Sequence, residues 1–184
     1  MALNDDAVLQ VGTGHFYRGT VGAAAPIDLS NPGAAFTEIG HTSLEDIFST
    51  SSDGGEVTTL GTLQKKTLRQ AYSPRTESFA FHLAQWDESA LKLYFGDNAA
   101  PIDVGSIWLG VPDTPAPSEG AFLATFTDGI DWFGFYAPKA NLYRGDDMEI
   151  GDTESLSLLP IQVTPLNYST NTWKYAVTPM GAAA

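Results

Sequence analysis

Residues 76–85, TESFAFHLAQ, set Phe79, Phe81 and Leu83 on one side of an extended chain and Thr76, Ser78, Ala80, His82 and Ala84 on the other. A period of two fits a strand with one buried face and does not fit a helix, whose apolar positions recur every three to four residues. Short apolar segments separated by Gly, Pro, Asp and Asn dominate the rest of the chain, so a mainly β domain is expected. GAFLATFTDGIDWFGFYAP reads as a hairpin around Asp128-Gly129, with Phe122 and Phe126 on one arm and Phe133 and Phe135 on the other. AVLQVGTGHFYRG opens the chain as a further strand, and SLLPIQVTPL and NTWKYAV close it as two more.

One helix interrupts this pattern, at about residues 87–95. Asp87 is its expected N-cap, Trp86 is placed to staple onto Leu91, Leu91 and Phe95 stack at i and i+4, and Gly96 supplies the stop. A second helix start is abandoned. In GHTSLEDIFSTSSDGGE, residues 40–56, Thr42 and Glu45 have capping-box spacing and Leu44, Ile47 and Phe48 give an apolar side, but the Ser/Gly-rich run that follows ends it within a turn. Residues 41–56 therefore read as a long connection whose sticky groups seek a partner. Two Pro/Gly/Ala-rich loops, TVGAAAPIDLSNPGAA and GVPDTPAPSEG, add to a loop content above that of most compact domains.

At 184 residues the chain suits one domain with one core. The absence of cysteine excludes disulfides, thiolate nucleophiles and thiolate-ligated metals, and fits folding inside a cell. The N-terminus has neither the basic region nor the apolar run of a secretion signal, and no window reaches the roughly 20 apolar residues of a membrane span. Twenty-two acids against nine bases give a net charge of −13. Such a chain repels phosphates on average instead of gripping them. Four of the nine bases, Lys65, Lys66, Arg69 and Arg75, nevertheless crowd into QKKTLRQAYSPR, where pairing with acids on another copy accounts for them.

Enzyme chemistry finds no foothold. His15, His41 and His82 are far apart in sequence, and none shares a helical spacing with a carboxylate in a zinc-type motif. Asp146, Asp147, Glu149 and Asp152 cluster in GDDMEIGD but lack the order of a calcium loop, so a solvated turn is expected there. GTGHFYRG misplaces the third glycine of a dinucleotide loop, and there is no nucleophile elbow, phosphate loop or zinc-protease helix. No catalytic, cofactor-binding or metal-binding residue is expected. The strand-spaced phenylalanines belong to a sandwich core and not to a ligand pocket.

MALNDDAVLQVGTGHFYRG, FTEIGHTSLEDI, VTTLGTLQKKTLRQ, ESFAFHLAQWDESALKLYFG, GFYAPKANL and LPIQVTPL, in this order from end to end, resemble the major tail tube protein of long, non-contractile-tailed bacteriophages, above all those infecting actinobacteria. The chain departs from that pattern at residues 110–120, and its short C-terminus, GAAA, carries no appended immunoglobulin-like domain. The resemblance implies a β-sandwich flanked by one helix, with long loops between subunits. Six copies make a ring with a continuous inner barrel, and the rings stack into the tube that conducts the genome into the host. In this reading residues 1–184 form one tail tube domain, with an N-terminal strand or arm over 1–35, a stacking arm over about 40–75 and a short C-terminal tail. Inter-subunit stacking falls to Leu44, Glu45, Asp46, Ile47, Phe48, Asp53, Glu56, Lys65, Lys66 and Arg69, and the candidate lumen face to Thr76, Ser78 and His82. An acidic lumen lets DNA pass without specific binding. Other copies of the chain, a tape-measure protein and a tail terminator are the implied partners, and the virion tail, assembled in the host cytoplasm, is the implied location. The alternative reading is a standalone acidic β-sandwich that binds a carbohydrate or protein ligand.

Overall fold

The computed structural model describes residues 8, 10–148 and 150–180. Among these residues twelve strands and one helix follow in chain order: β1 (Thr13–Gly19), β2 (Phe36–Glu38), β3 (Ser49–Gly54), β4 (Val57–Leu60), β5 (Arg69–Tyr72), β6 (Arg75–Leu83), α1 (Glu88–Phe95), β7 (Ala100–Pro101), β8 (Leu109–Gly110), β9 (Ser118–Thr127), β10 (Trp132–Arg144), β11 (Leu159–Pro165) and β12 (Ala176–Val177). The main sheet runs β2-β1-β9-β10-β11-β6-β3, with β12 added beside β10, and its pairs are antiparallel.

This sheet folds over on itself. Phe16 on β1 and Phe81 on β6 lie four strands apart in the sheet order, yet their rings stack at 4.5 Å. Phe122 on β9 faces both Phe81 and Phe79 at 6.0 and 6.2 Å, so the two halves share one aromatic core as the layers of a sandwich. The fold-over is stitched along one side by the chain between β2 and β3. Ile39 N–H donates to the Phe16 carbonyl, Ser43 N–H donates to the His82 carbonyl, and Thr42 bridges to Leu83. Midway along β10 the register with β9 shifts between Ala137 and Ala140. Pro138, which has no N–H to give the ladder, sits in that bulge, and the bend lets β10 serve β12 at Phe135 and β11 beyond Ala140.

The alternation of residues 76–85 is realised in β6, where Phe79, Phe81 and Leu83 are buried and Ala80 and His82 half-buried. The hairpin expected around Asp128-Gly129 joins β9 to β10. Asp128 Oδ1 accepts from the N–H groups of Ile130 and Asp131, and Gly129 takes φ 107°. Helix α1 has the expected ends: Asp87 Oδ1 accepts from Ala90 N–H at 2.9 Å, and Gly96 N–H closes onto the Lys92 carbonyl. The helix buries Ala90, Leu93 and Tyr94 toward the sheet, with Trp86, Leu91 and Phe95 partly buried at the margin of the same core.

Residues 40–56 depart from expectation. Thr42 and Glu45 form no capping box, because Thr42 is spent on its bridge to Leu83 and it is Ser43 Oγ that accepts Glu45 N–H, in a bend with no helical turn. The Ser/Gly-rich half is a strand. Thr50, Ser51 and Ser52 in β3 find their hydrogen-bonding partner in β6, so pairing with a ready-made edge replaces the apolar alternation that usually announces a strand. At the C-terminal end, NTWKYAV contributes only Ala176–Val177 to the sheet.

Candidate assembly surfaces

The strongest feature outside the core is an arm. In β3 and β6 Ser49 opposes Ala80 and Gly54 opposes Arg75; in β4 and β5 Val57 opposes Tyr72 and Leu60 opposes Arg69. Those four pairs keep one register, so 49–60 and 69–83 are the two strands of a single long hairpin. The ladder is interrupted once, at Gly55–Glu56 opposite Ser73–Pro74. Pro74 cannot donate, Gly54 and Gly55 take φ 83° and 72°, and Glu56 N–H is satisfied by Ser73 Oγ instead. Beyond this joint the hairpin packs on nothing in its own chain: β4, β5 and the connection between them, residues 61–68, are exposed throughout. From Ser49 to Leu60 the ladder spans about 36 Å at the usual strand rise.

The arm carries both apolar and cationic groups. Val57, Leu60, Leu68 and Tyr72 are at least half exposed, and Leu63 at the tip is 97% exposed. Of the chain's 22 acids and nine bases, residues 55–74 hold one acid, Glu56, and three bases, Lys65, Lys66 and Arg69. The arm beyond its joint is therefore positive by two charges while the remainder, with 21 acids and six bases, is negative by fifteen. Ion pairs among the described residues use Arg18 with Asp97, Lys92 with Glu88, Lys139 with Glu119, and Arg144 with Asp147. Lys65, Lys66 and Arg69 take part in none of them.

At the arm's root, Ile47 and Phe48 pack on the core of their own subunit, Phe48 against Phe135 at 4.9 Å and Phe126 at 5.4 Å. Leu44, Glu45 and Asp46 beside them are exposed. Asp53 lies on β3, its carboxylate accepting from Gly54 N–H, and Glu56 lies at the joint. Of the ten residues assigned to stacking, Lys65, Lys66 and Arg69 thus occupy the far end and the other seven the root or joint. An in-register hairpin holds Lys65 and Lys66 at its tip apart from the acids at its root, so these cannot meet within one chain.

Thr76, Ser78 and His82 share the side of β6 that faces away from Phe79, Phe81 and Leu83. Pairing sets Asp53 beside Thr76, Ser51 beside Ser78 and Pro160 beside His82, which makes a polar strip with Asp53 as its carboxylate. His82 Nδ1 is buried there without a hydrogen-bond partner. His15 Nδ1 pairs with Glu38 Oε1 at 2.7 Å, and His41 lies where its main chain meets Ala84 and Gln85. The carboxylates of GDDMEIGD are engaged locally: Asp146 accepts from Asp147 N–H, Asp147 pairs with Arg144, and Asp152 accepts from Glu154 N–H and Ser155 Oγ. Glu149 lies outside the described residues. Among the described residues no three His, Asp or Glu side chains converge as a metal site, and no helix is long and apolar enough to cross a membrane.

The distal hairpin was not legible from residue patterns, although VTTL and RQAY, residues 57–60 and 69–72, do have the lengths and turn-rich interval of paired strands. A second exposed apolar group was also missed: Ile102, Val104, Ile107 and Trp108 on the small β7–β8 hairpin. Neither group has the residues of a catalytic site.

Comparison with known proteins supplies the context for these surfaces. The chain matches the family described as phage tail tube protein over residues 1–178. It is 35% identical over 181 residues to the major tail protein Gp23 of Mycobacterium phage L5, covering 91% of this chain and 89% of that protein. It is 33% identical, with the same coverage, to the major tail protein Gp23 of Mycobacterium phage D29. A match from end to end, on a mainly β chain with one helix, shows that the chain belongs to the phage tail tube protein family, a structural family and not an enzyme family.

Proposed function

We propose that six copies of this chain close into a ring and that the rings stack, each through its projecting hairpin, into the tube along which the phage genome passes to the host cell. Family membership makes the chain a structural component of the virion tail, built by self-assembly. The observation that carries the finer reading is the arm: a 36 Å hairpin, by the usual rise of about 3.3 Å per residue, with apolar and cationic groups that its own subunit leaves unpaired. Contacts that repeat along an axis without closing yield a filament, and an element that reaches well beyond its own sandwich suits that geometry. Residues of about 40–75 are assigned to stacking, with Lys65, Lys66 and Arg69 meeting acids of the adjoining ring. The tape-measure protein and the tail terminator are the proposed further partners, and the host cytoplasm the place of assembly.

The charge of −13 supports passage of DNA without capture. Each phosphate contact would add affinity and slow transit, whereas an acidic wall repels the duplex along its length. The strip that holds Thr76, Ser78 and His82 is assigned to the lumen.

Negative-stain images of chains carrying Lys65→Glu, Lys66→Glu and Arg69→Glu together test the stacking assignment. All three side chains are exposed, so the sandwich should fold and long tubes should be lost. Single reversals should be mild, since an exposed pair contributes only about 0–1 kcal/mol. Tubes of normal length from the triple variant would overturn the assignment.

A further inference from the structure

At the end of the sandwich next to the arm's root there is an open cavity of about 360 Å³. Ile47, Phe48, Phe126, Phe133 and Phe135 line it, and the charged side chain on its wall is Glu45. Its aromatic wall is continuous: Phe48 contacts Phe126 and Phe135, and Phe133 meets Phe135 edge-on at 5.2 Å. Asp46 follows Glu45, and the turn that joins Phe126 to Phe133 adds Asp128 and Asp131 to the same end. The socket is apolar at its floor, with the Glu45 carboxylate on its wall.

We infer that this socket receives the tip of the hairpin arm of a second copy, with Leu63 seated on the phenylalanines and Lys65 and Lys66 beside Glu45. The inference rests on the stacking role proposed for the arm and adds the surface that the arm engages. Three observations select this occupant. The tip pairs an almost fully exposed leucine with two lysines, the complement of an apolar floor with the Glu45 carboxylate on its wall. Lysine stems cover apolar surface while their ammonium groups stay at the rim, within reach of the ring faces and of Glu45. Finally, Phe48 immediately precedes Ser49, where the ladder begins, so socket and tip lie at opposite ends of one in-register hairpin. A chain cannot fill its own socket. Each copy offers a tip in one direction and a socket in the other, and such a contact is heterologous, does not close, and propagates along the arm direction.

The absence of cysteine from the chain makes the test direct, because any disulfide joins introduced thiols. Leu63→Cys chains and Glu45→Cys chains are co-assembled into tubes and exposed to a mild oxidant. Glu45 and Leu63 are both exposed, so neither change disturbs the fold. A covalent dimer is expected in tubes, at a yield on the order of tenfold or more above that from Leu63→Cys mixed with Leu156→Cys, an exposed position that does not line the socket, and not in unassembled protein. Leu63→Asp is expected to abolish long tubes without changing the melting of the unassembled chain. If Leu63→Asp tubes reach normal length, the arm does not stack and the underlying reading fails. If Leu63→Asp blocks tubes but Leu63→Cys links to Leu156→Cys as readily as to Glu45→Cys, or to neither, the arm stacks elsewhere and the socket assignment alone is overturned.

Discussion

Phe81→Ala should remove a large part of the stability of the unassembled chain. The ring is 1% exposed, lies nearly parallel to Phe16 with 10° between planes at 4.5 Å, and stands 6.0 Å from Phe122. Its neighbours sit on hydrogen-bonded strands of both layers, so the hole cannot collapse without shifting ladders, and the loss should fall in the upper part of the roughly 3–5 kcal/mol range for such truncations. Against a typical total of about 5–15 kcal/mol this approaches global unfolding. The contact also couples the two halves of the folded-over sheet. A double-mutant cycle with Phe16→Leu and Phe81→Leu should return a coupling of about 0.5–1.5 kcal/mol. Urea titration followed by far-ultraviolet circular dichroism supplies both numbers, with midpoints falling and slopes unchanged. A loss below about 1.5 kcal/mol for Phe81→Ala, or additive leucine variants, would refute the picture of one aromatic core shared by both layers.

Two further perturbations probe the helix and the joint of the arm. Asp87→Ala should cost about 1 kcal/mol by orphaning the Ala90 N–H. That N–H, helped by Ser89 and Gln85, holds the Asp87 carboxyl below its ordinary pKa despite the opposing effect of burial. The stabilisation is therefore complete above the unfolded aspartate value and is lost as pH falls through the depressed folded value, so wild type and variant should converge in strongly acidic urea titrations. Gly54→Ala places a Cβ against the Pro74 carbonyl oxygen at φ 83°, at a cost of about 1–2 kcal/mol for the left-handed backbone alone. Hydrogen exchange should then show lost protection in residues 57–60 and 69–72 while β9 stays protected.

Side-chain periodicity made part of this fold legible, and its absence hid the rest. Residue alternation in β6, the turn chemistry of Asp128 and Gly129, and the capping signals of Asp87 and Gly96 each act within a few positions, so the sequence displays them directly. The arm is different. Ser49–Gly54 has no apolar face, and what makes it a strand is a main-chain partner roughly 20 to 30 residues away, held in a register that composition does not encode. Thr42 and Glu45 show the converse failure, where a local helix signal was overridden by a bridge to Leu83. The socket combines residues 45–48 with residues 126–135, which only the fold-over brings together. The cationic run was visible as a charge asymmetry, but its position at the far end of a hairpin was not.

In the proposed tube an acidic subunit that must polymerise faces a conflict, since the charge proposed to keep the lumen from gripping DNA also pushes copies apart. The main sheet does not resolve it through its edges. At one end β2 is only three residues long; at the other β3 reads Ser-Thr-Ser-Ser-Asp-Gly, and neither is an apolar template for indiscriminate pairing. The arm offers another resolution. At physiological salt charges are screened over about 8 Å, whereas the part of the hairpin beyond Gly54 carries its last ladder pair roughly 20 Å from the main sheet. In the proposed contact its positive tip meets a neighbouring body while its own negative body is about two screening lengths away, and attraction acts before repulsion. Had the same three bases been spread over the sandwich, they would have neutralised it locally and cost the wall its charge without extending the reach of the contact. Under the proposed stacking, segregating Lys65, Lys66 and Arg69 on the arm lets the rest of the chain keep its fifteen net negative charges while assembly proceeds.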